Sequence, residues 1–348
     1  MFNMAKKGGY KAYVLIILIV MLGTSLFGTG STAYYVLVIG LLSALPENKA
    51  LPPSRVLMPA GFAANHPLVP FSTALQYGIT VAVLQAAGVA KVNLIKFSIV
   101  NLILSLGFLG WSLLAYKILP DHPISNQEDD ESRSSNSQGQ EAETSWLTRK
   151  QELVPYFSFA LAVAGMVSQS YIGDAGYAMT GIAVIPIFLV GVLDCTEIRD
   201  AISAPIILMS AGVIGVADAL GSTGLTQLVG KSVAGMFGSS ISPFLLIFVF
   251  CVLTSLLATL TGSTLGTVYV FAPLAIATCT HLGFNPTAAA AAIVISGWCG
   301  HFLPVDGMPA LIMGTGNYSM VEFWKFTIPQ YFIRLLALTA GALILFPV

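Results

Sequence analysis

The chemistry available to this sequence lies in a few hydroxyls, two histidines and an aspartate set into otherwise apolar runs. The stretch Thr29-Gly30-Ser31-Thr32 returns as Thr261-Gly262-Ser263-Thr264, and each copy interrupts a long apolar segment. Hydroxyl oxygens and glycine-loosened backbone suit small ions and carboxylates, and lipid tolerates neither unless protein or water surrounds them. His66, in Asn65-His66-Pro67-Leu68-Val69-Pro70, and His301, in Trp298-Cys299-Gly300-His301-Phe302, both stand where nearby proline must break a helix. Each can carry a proton or touch a solute. Its bland alternative is a hydrogen-bonded packing residue. Asp306, in Pro304-Val305-Asp306-Gly307-Met308-Pro309, is the acid at the second break. Its functional reading is a cation or proton site, and its bland one a helix cap. Asp174 and Asp218 fall near the ends of apolar segments and have weaker claims.

The spacing of these groups repeats. The two tetrapeptides are 232 residues apart, the two histidines 235, and Ile95-Lys96-Phe97-Ser98-Ile99 is echoed 229 residues on by Trp324-Lys325-Phe326-Thr327-Ile328. Three landmarks recurring in one order indicate an internal duplication. A single Gly-Ser-Thr would be read as a small-residue packing face. Two copies followed by matching landmarks point to a shared site instead, with Ser31, Thr32, Ser263 and Thr264 meeting near the bilayer midplane.

Composition sets the class that must position them. The chain of 348 residues is 56% hydrophobic and 9% charged, with 20 Phe, which is far outside the soluble range and reads as an all-α polytopic membrane protein. A formal net charge of −1 and no basic stripe argue against nucleic-acid binding. Cys195, Cys251, Cys279 and Cys299 match no zinc or disulfide spacing and read as apolar packing residues. No cofactor or metal is expected.

The first repeat spans residues 1–119. Neither apolar run within 11–45 alone reaches the ~20 residues that a hydrocarbon core demands, so these residues read as a re-entrant hairpin with the first tetrapeptide at its tip. A broken helix follows over 55–87, then a span over 97–119. Residues 120–153, acidic and serine-rich, read as a disordered linker; a metal role for its acidic run is the lesser alternative. The second repeat spans 154–348. It has three scaffold spans within 154–222 (apolar segments 154–171, 177–193 and 204–220), a hairpin over 243–281, a broken helix over 285–317 and a last span over 322–348.

Five crossings between the hairpins make the repeat inverted. Lys6, Lys7, Lys11, Lys49, Arg55, Lys117, Arg133, Arg149, Lys150, Arg199 and Lys325 then share one side, against Lys91, Lys96 and Lys231 on the other, while Arg334 falls within a span. The richer side is cytoplasmic by the positive-inside bias. That places the linker in the cytoplasm and the C-terminus outside the cell membrane. An inverted duplication should put scaffold helices before both hairpins, and only residues 1–10 precede the first, so N-terminal scaffold helices are expected to be missing.

These elements resemble the ion transporter superfamily that includes the divalent anion:sodium symporters, the dicarboxylate and citrate carriers. Pro53-Ser54-Arg55-Val56-Leu57-Met58-Pro59 with Phe62-Ala63-Ala64 is similar to the entry of that family's first broken helix. Phe302-Leu303-Pro304-Val305-Asp306-Gly307-Met308-Pro309-Ala310, Gly316-Asn317-Tyr318 and Phe323-Trp324-Lys325 are similar to the second, and Asp218-Ala219-Leu220-Gly221-Ser222-Thr223-Gly224-Leu225 to the approach to the second hairpin. The resemblance implies an elevator-type secondary carrier, often dimeric. The family's Ser-Asn-Thr hairpin signature stands here as Gly30-Ser31-Thr32 and Gly262-Ser263-Thr264, with serine in place of asparagine. Sodium and the proton both stay open as the coupling ion.

The expectation is a carrier of small organic anions, di- or tricarboxylates, with its site at Thr29, Gly30, Ser31, Thr32, Asn65, His66, Thr261, Gly262, Ser263, Thr264, His301 and Asp306. A homodimer in the lipid bilayer is expected. Alternatives are a proton-linked carrier of another solute, an ion exchanger or a non-transporting fragment. An intramembrane enzyme built on His66, His301 and Asp306 lacks any metal spacing or nucleophile motif.

Overall fold

The computed structural model describes residues 8–43, 51–69, 74–89, 92–122, 175–196 and 241–347, with 153–161 and a few isolated positions besides. Most of the linker, the later part of the first scaffold segment, all of the third, Asp174 and Asp218 lie outside the described residues. Within them the protein is helical without a strand, and five helices are long and apolar enough to cross a membrane. It is an all-α polytopic membrane protein.

Helices α1 (Gly9–Phe27) and α2 (Thr32–Ser43) fold back on each other. Tyr34 donates its hydroxyl to the Val20 carbonyl at 2.7 Å, and its ring stacks on Phe27 with centroids 4.8 Å apart. Then come α3 (Pro53–Ala63), α4 (Ala74–Ala86) and α5 (Leu94–Leu114). The short α6 (Ala175–Ile182) and α7 (Val184–Leu189) are followed by α8 (Pro243–Thr261), α9 (Thr264–His281), α10 (Pro286–Ser296), α11 (Gly307–Thr315) and α12 (Met320–Leu345). Where the sequence suggests one span over 177–193, the structure has two short helices meeting at Ala183. Pro186, lacking an N–H, cannot continue the ladder from α6.

Local sequence explains the ends. Asn93 accepts from the Ile95 and Lys96 amides, so α5 begins at Leu94, ahead of the expected 97. Ser319 and Glu322 form a reciprocal capping box that starts α12. Ser242-Pro243 and Asn285-Pro286 place a polar cap before a proline at N1, which fixes the starts of α8 and α10.

Half-helices α3 and α10 are the cores of the two halves. All of α10 from Ala288 on is buried, its run of five alanines included, and all of α3 but Arg55 is. At 1.5 Å per residue each is roughly 16 Å long, about half of a ~30 Å hydrocarbon core. A buried helix that short leaves, where it stops, backbone groups that need partners. Helices α1 and α2 cover α3, and α8 and α9 cover α10. The second half-helices cross over: α4 packs on α9 and α10, and α11 on α2 and α3. One apolar cluster accordingly joins Tyr77 and Leu84 of α4 to α8, α9 and α10, while the other joins Met308 and Ile312 of α11 to α1, α2 and α3.

Between the halves α5 and α12 run antiparallel. Trp111 Nε1 donates to the Phe326 carbonyl at 2.9 Å, whereas a Cβ on Gly107 would lie 2.9 Å from Ala337 and one on Gly341 3.1 Å from Ile103. Glycine lets the backbones approach closely, which is the main adhesive between helices where lipid is as apolar as leucine. Gly107→Val should therefore wedge α5 from α12 and cost about 1–3 kcal/mol. Thermal unfolding in detergent checks this, with Gly110→Val, which meets nothing within 4 Å, leaving the midpoint near the wild-type value.

Candidate functional site

The interruptions of the two helical hairpins face one cleft. Thr29 and Gly30 from the α1–α2 turn, and Gly262, Ser263 and Thr264 from the α8–α9 turn, line a cavity of about 380 Å³ with Leu75, Leu265 and Trp298. That volume is within the range of small-molecule sites. Gly30 has φ 81° and Gly262 φ 65°, left-handed values that favour glycine, so the tetrapeptide's second residue is what turns the chain.

Helix α9 begins at this cleft, and α2 begins two residues beyond its Gly30 wall. The first helical bonds are Tyr35 N–H to Ser31 O and Thr267 N–H to Ser263 O. The amides just before them have no intrahelical acceptor, and the positive end of α9, whose Ser263, Thr264 and Leu265 line the cleft, faces it. Ser263 sits at the N-cap of α9 without a capping bond, which leaves its hydroxyl for a ligand. A helix N-terminus and several hydroxyls around one cavity suit a carboxylate.

Each turn is tied to its neighbouring break. Gly30 N–H donates to Asn65 Oδ1 at 2.9 Å, and Thr24 donates to the Ala63 carbonyl at 3.0 Å. Ser25 Oγ accepts from the amides of Leu68 and Val69, both at 2.9 Å. In the other half Thr259 donates to the Gly300 carbonyl, and Gly300 has no room for a Cβ against Thr259 and the Ser255 carbonyl.

The remaining candidates stand apart from the cleft. Ser31 and Thr261 are in the turns but do not line it, and Thr261 donates back to the Leu257 carbonyl. Thr32 begins α2. His66 is fully buried, its ring stacked on Phe108 with centroids 3.9 Å apart. Its Nδ1 donates to the Phe62 carbonyl at 2.7 Å, leaving Nε2 buried without a partner. His301 stacks at 6.0 Å on Phe62, with Nε2 3.9 Å from Asp306 Oδ2 and Nδ1 unpartnered. Asp306 caps α11 through the Gly307 amide at 2.8 Å, and its side chain is 55% exposed.

Two residues matter that the sequence did not single out as ligands. Trp298 lines the cleft, its Nε1 3.7 Å from where a Cβ on Gly30 would be. Arg334 of α12 is 2% exposed and donates to the carbonyls of Trp298 at 3.1 Å and Cys299 at 3.4 Å. A lone cation within an apolar span was the available signal, since such groups are functional by default.

Asn65→Leu should leave the Gly30 amide unpaired and cost about 1–3 kcal/mol, read as a lowered unfolding midpoint in detergent. Asn65→Asp keeps the acceptor and should recover most of the loss.

A family model described as citrate transporter, CitMHS, matches residues 2–295. Among curated proteins, the uncharacterized transporter YfbS of Escherichia coli (strain K12) is 26% identical over 169 residues, which cover 47% of this chain and 27% of that protein. The matched region thus spans about a quarter of that relative's length.

Proposed function

The chain belongs to the CitMHS citrate transporter family, a family of transporters rather than enzymes, and on that premise we propose that it is a secondary active carrier of di- and tricarboxylates. The observation that carries this reading is the single cleft bounded by both hairpin turns, Thr29-Gly30 and Gly262-Ser263-Thr264. A carboxylate placed there accepts hydrogen bonds from the Thr29 and Ser263 hydroxyls and from the free amides that open α2 and α9. A second carboxylate reaches the other turn, so that one small polyanion bridges both.

The architecture we propose is an inverted repeat, with α1 to α5 corresponding to α8 to α12. The helix contacts support it, because exchanging the two sets maps α1–α3 onto α8–α10, α4–α10 onto α11–α3 and α4–α9 onto α11–α2. The antiparallel α5 and α12 correspond to each other under that exchange. Elevator-type alternating access follows: hairpins and broken helices, tied by hydrogen bonds, move as one body against a scaffold built within residues 154–222, with dimerisation through that scaffold. The positive-inside count supports a cytoplasmic linker and an external C-terminus in the cell membrane.

The coupling ion is sodium or a proton; serine in place of the signature asparagine at Ser31 and Ser263 weakens the sodium reading without removing it, since serine and backbone oxygens can also hold sodium. A proton-linked cycle is the second reading, favoured by the 3.9 Å approach of His301 to Asp306.

Reconstituted into liposomes, the full chain should accumulate radiolabelled citrate or succinate under an imposed sodium or proton gradient. Ser263→Ala and Thr29→Val each remove a hydroxyl from a charged ligand, worth ~1.5–3 kcal/mol, and should raise the apparent KM by roughly ten- to a hundredfold. Thr280→Val, whose hydroxyl bonds to Ile276 O near the far end of α9, should leave uptake unchanged. Unaltered KM in both turn variants would remove the cleft from the transport path.

A further inference from the structure

Arg334 is a buried cation on α12 that no described carboxylate approaches within ion-pair distance. Its Nε has no partner, and its remaining contacts are the carbonyls of Trp298 and Cys299. Those carbonyls belong to the 3-10 turn Gly297–Cys299, where α10 stops and the ladder ends. An uncompensated buried charge strongly destabilises a protein, the more so at membrane depth. Ion pairing with the described carboxylates therefore gives no reason for a guanidinium here.

The carbonyls supply one. Unwound backbone at a broken membrane helix exposes oxygens that take up small cations, and at this break the oxygens are already engaged by a cation covalently attached to the protein. We propose that Arg334 is a tethered counter-cation: its guanidinium holds the place of a mobile inorganic ion at the second break, so that half of the protein binds none. The proposal rests on the reading of the chain as an anion carrier built from two corresponding halves.

The other half sharpens it. Offset by the 229 residues that separate Lys96 from Lys325, the buried polar stripe Thr327, Gln330 and Arg334 of α12 corresponds to Ser98, Asn101 and Ser105 of α5. Spacings of three and four keep each stripe on one helix face. Where α12 carries a guanidinium, α5 carries a neutral hydroxyl, buried and without a partner. Along this buried stripe the halves differ by one fixed positive charge. That charge is held on the backbone carbonyl of Trp298, a residue whose side chain lines the cleft. On the carrier reading, an anion in the cleft meets a permanent countercharge in the second half alone.

The test counts bound sodium on the purified full chain with radioactive sodium, and reads the sodium-dependent shift of the unfolding midpoint. Arg334→Ser, which copies the other half, should bind one more sodium ion per chain than the wild type and gain a sodium-dependent rise in midpoint. Arg334→Lys keeps the charge and should match the wild type. Two sodium ions on the wild type, or equal binding by wild type and Arg334→Ser, overturns the proposal. So does a lysine variant that gains sodium as the serine variant does. The wild-type measurement decides even if Arg334→Ser does not fold. Citrate uptake by the wild type is scored separately: its absence sinks the carrier reading and leaves the sodium count to judge Arg334 on its own.

Discussion

The fold depends on satisfying backbone groups released where two half-helices stop inside a nearly dry interior. An unpaired amide or carbonyl there costs several kcal/mol, and α3 and α10 each release several. Hairpin side chains meet part of that need. Thr24 takes the Ala63 carbonyl, Ser25 the amides of Leu68 and Val69, and Thr259 the Gly300 carbonyl. The hairpins are therefore parts of the broken helices' hydrogen bonding as well as their cover. Moving a turn away from its break would reopen all of these bonds at once, which ties the cleft rigidly to the helices beneath it.

That coupling explains why the cleft lies where it does. Gly30 is held by Asn65, itself next to His66 at the end of α3, while Trp298 lines the cavity from the end of α10. Both breaks thus reach the cavity wall, one through a side-chain amide and the other through an indole. The crossing of α4 onto the second half and α11 onto the first binds the halves around this point, and close contact at Gly107 and Gly341 holds their central pair of helices together.

Part of this is legible in the sequence because it is local. The all-α membrane class follows from apolar runs of sufficient length. Helix starts follow from Asn93, Ser242, Asn285 and Ser319, each a polar cap at the head of an apolar segment. The tetrapeptides stand out because glycine and hydroxyls are rare amid such runs, and Thr29, Gly30, Gly262, Ser263 and Thr264 line the cleft. What is tertiary is not legible. Nothing in the spacing of Trp298 or Leu75 places either against a turn distant in the chain. Asp306 reads as an intramembrane acid from its neighbours, yet its side chain is more than half exposed and spends one oxygen on capping α11. Periodicity fixes where α6 and α7 are apolar without revealing that Pro186 divides them.

Arg334 joins these strands of argument. A carbonyl at a helix break can be satisfied by a hydroxyl, as at Ala63 and Gly300, or by a cation, as at Trp298 and Cys299. The first choice leaves the interior neutral. The second leaves a net charge that the described residues do not balance with a carboxylate. On the carrier reading proposed above, an anion in the cleft would bring the negative charge that the described residues lack, and would relieve part of the cost of burying the guanidinium. Binding energy from a carboxylate would then do twofold service, closing hydrogen bonds at the turns and neutralising in part the guanidinium held on the Trp298 carbonyl. On the same reading a neutral side chain at 334 leaves that positive charge to a mobile cation, so the countercharge at the second break would come and go with sodium instead of being fixed.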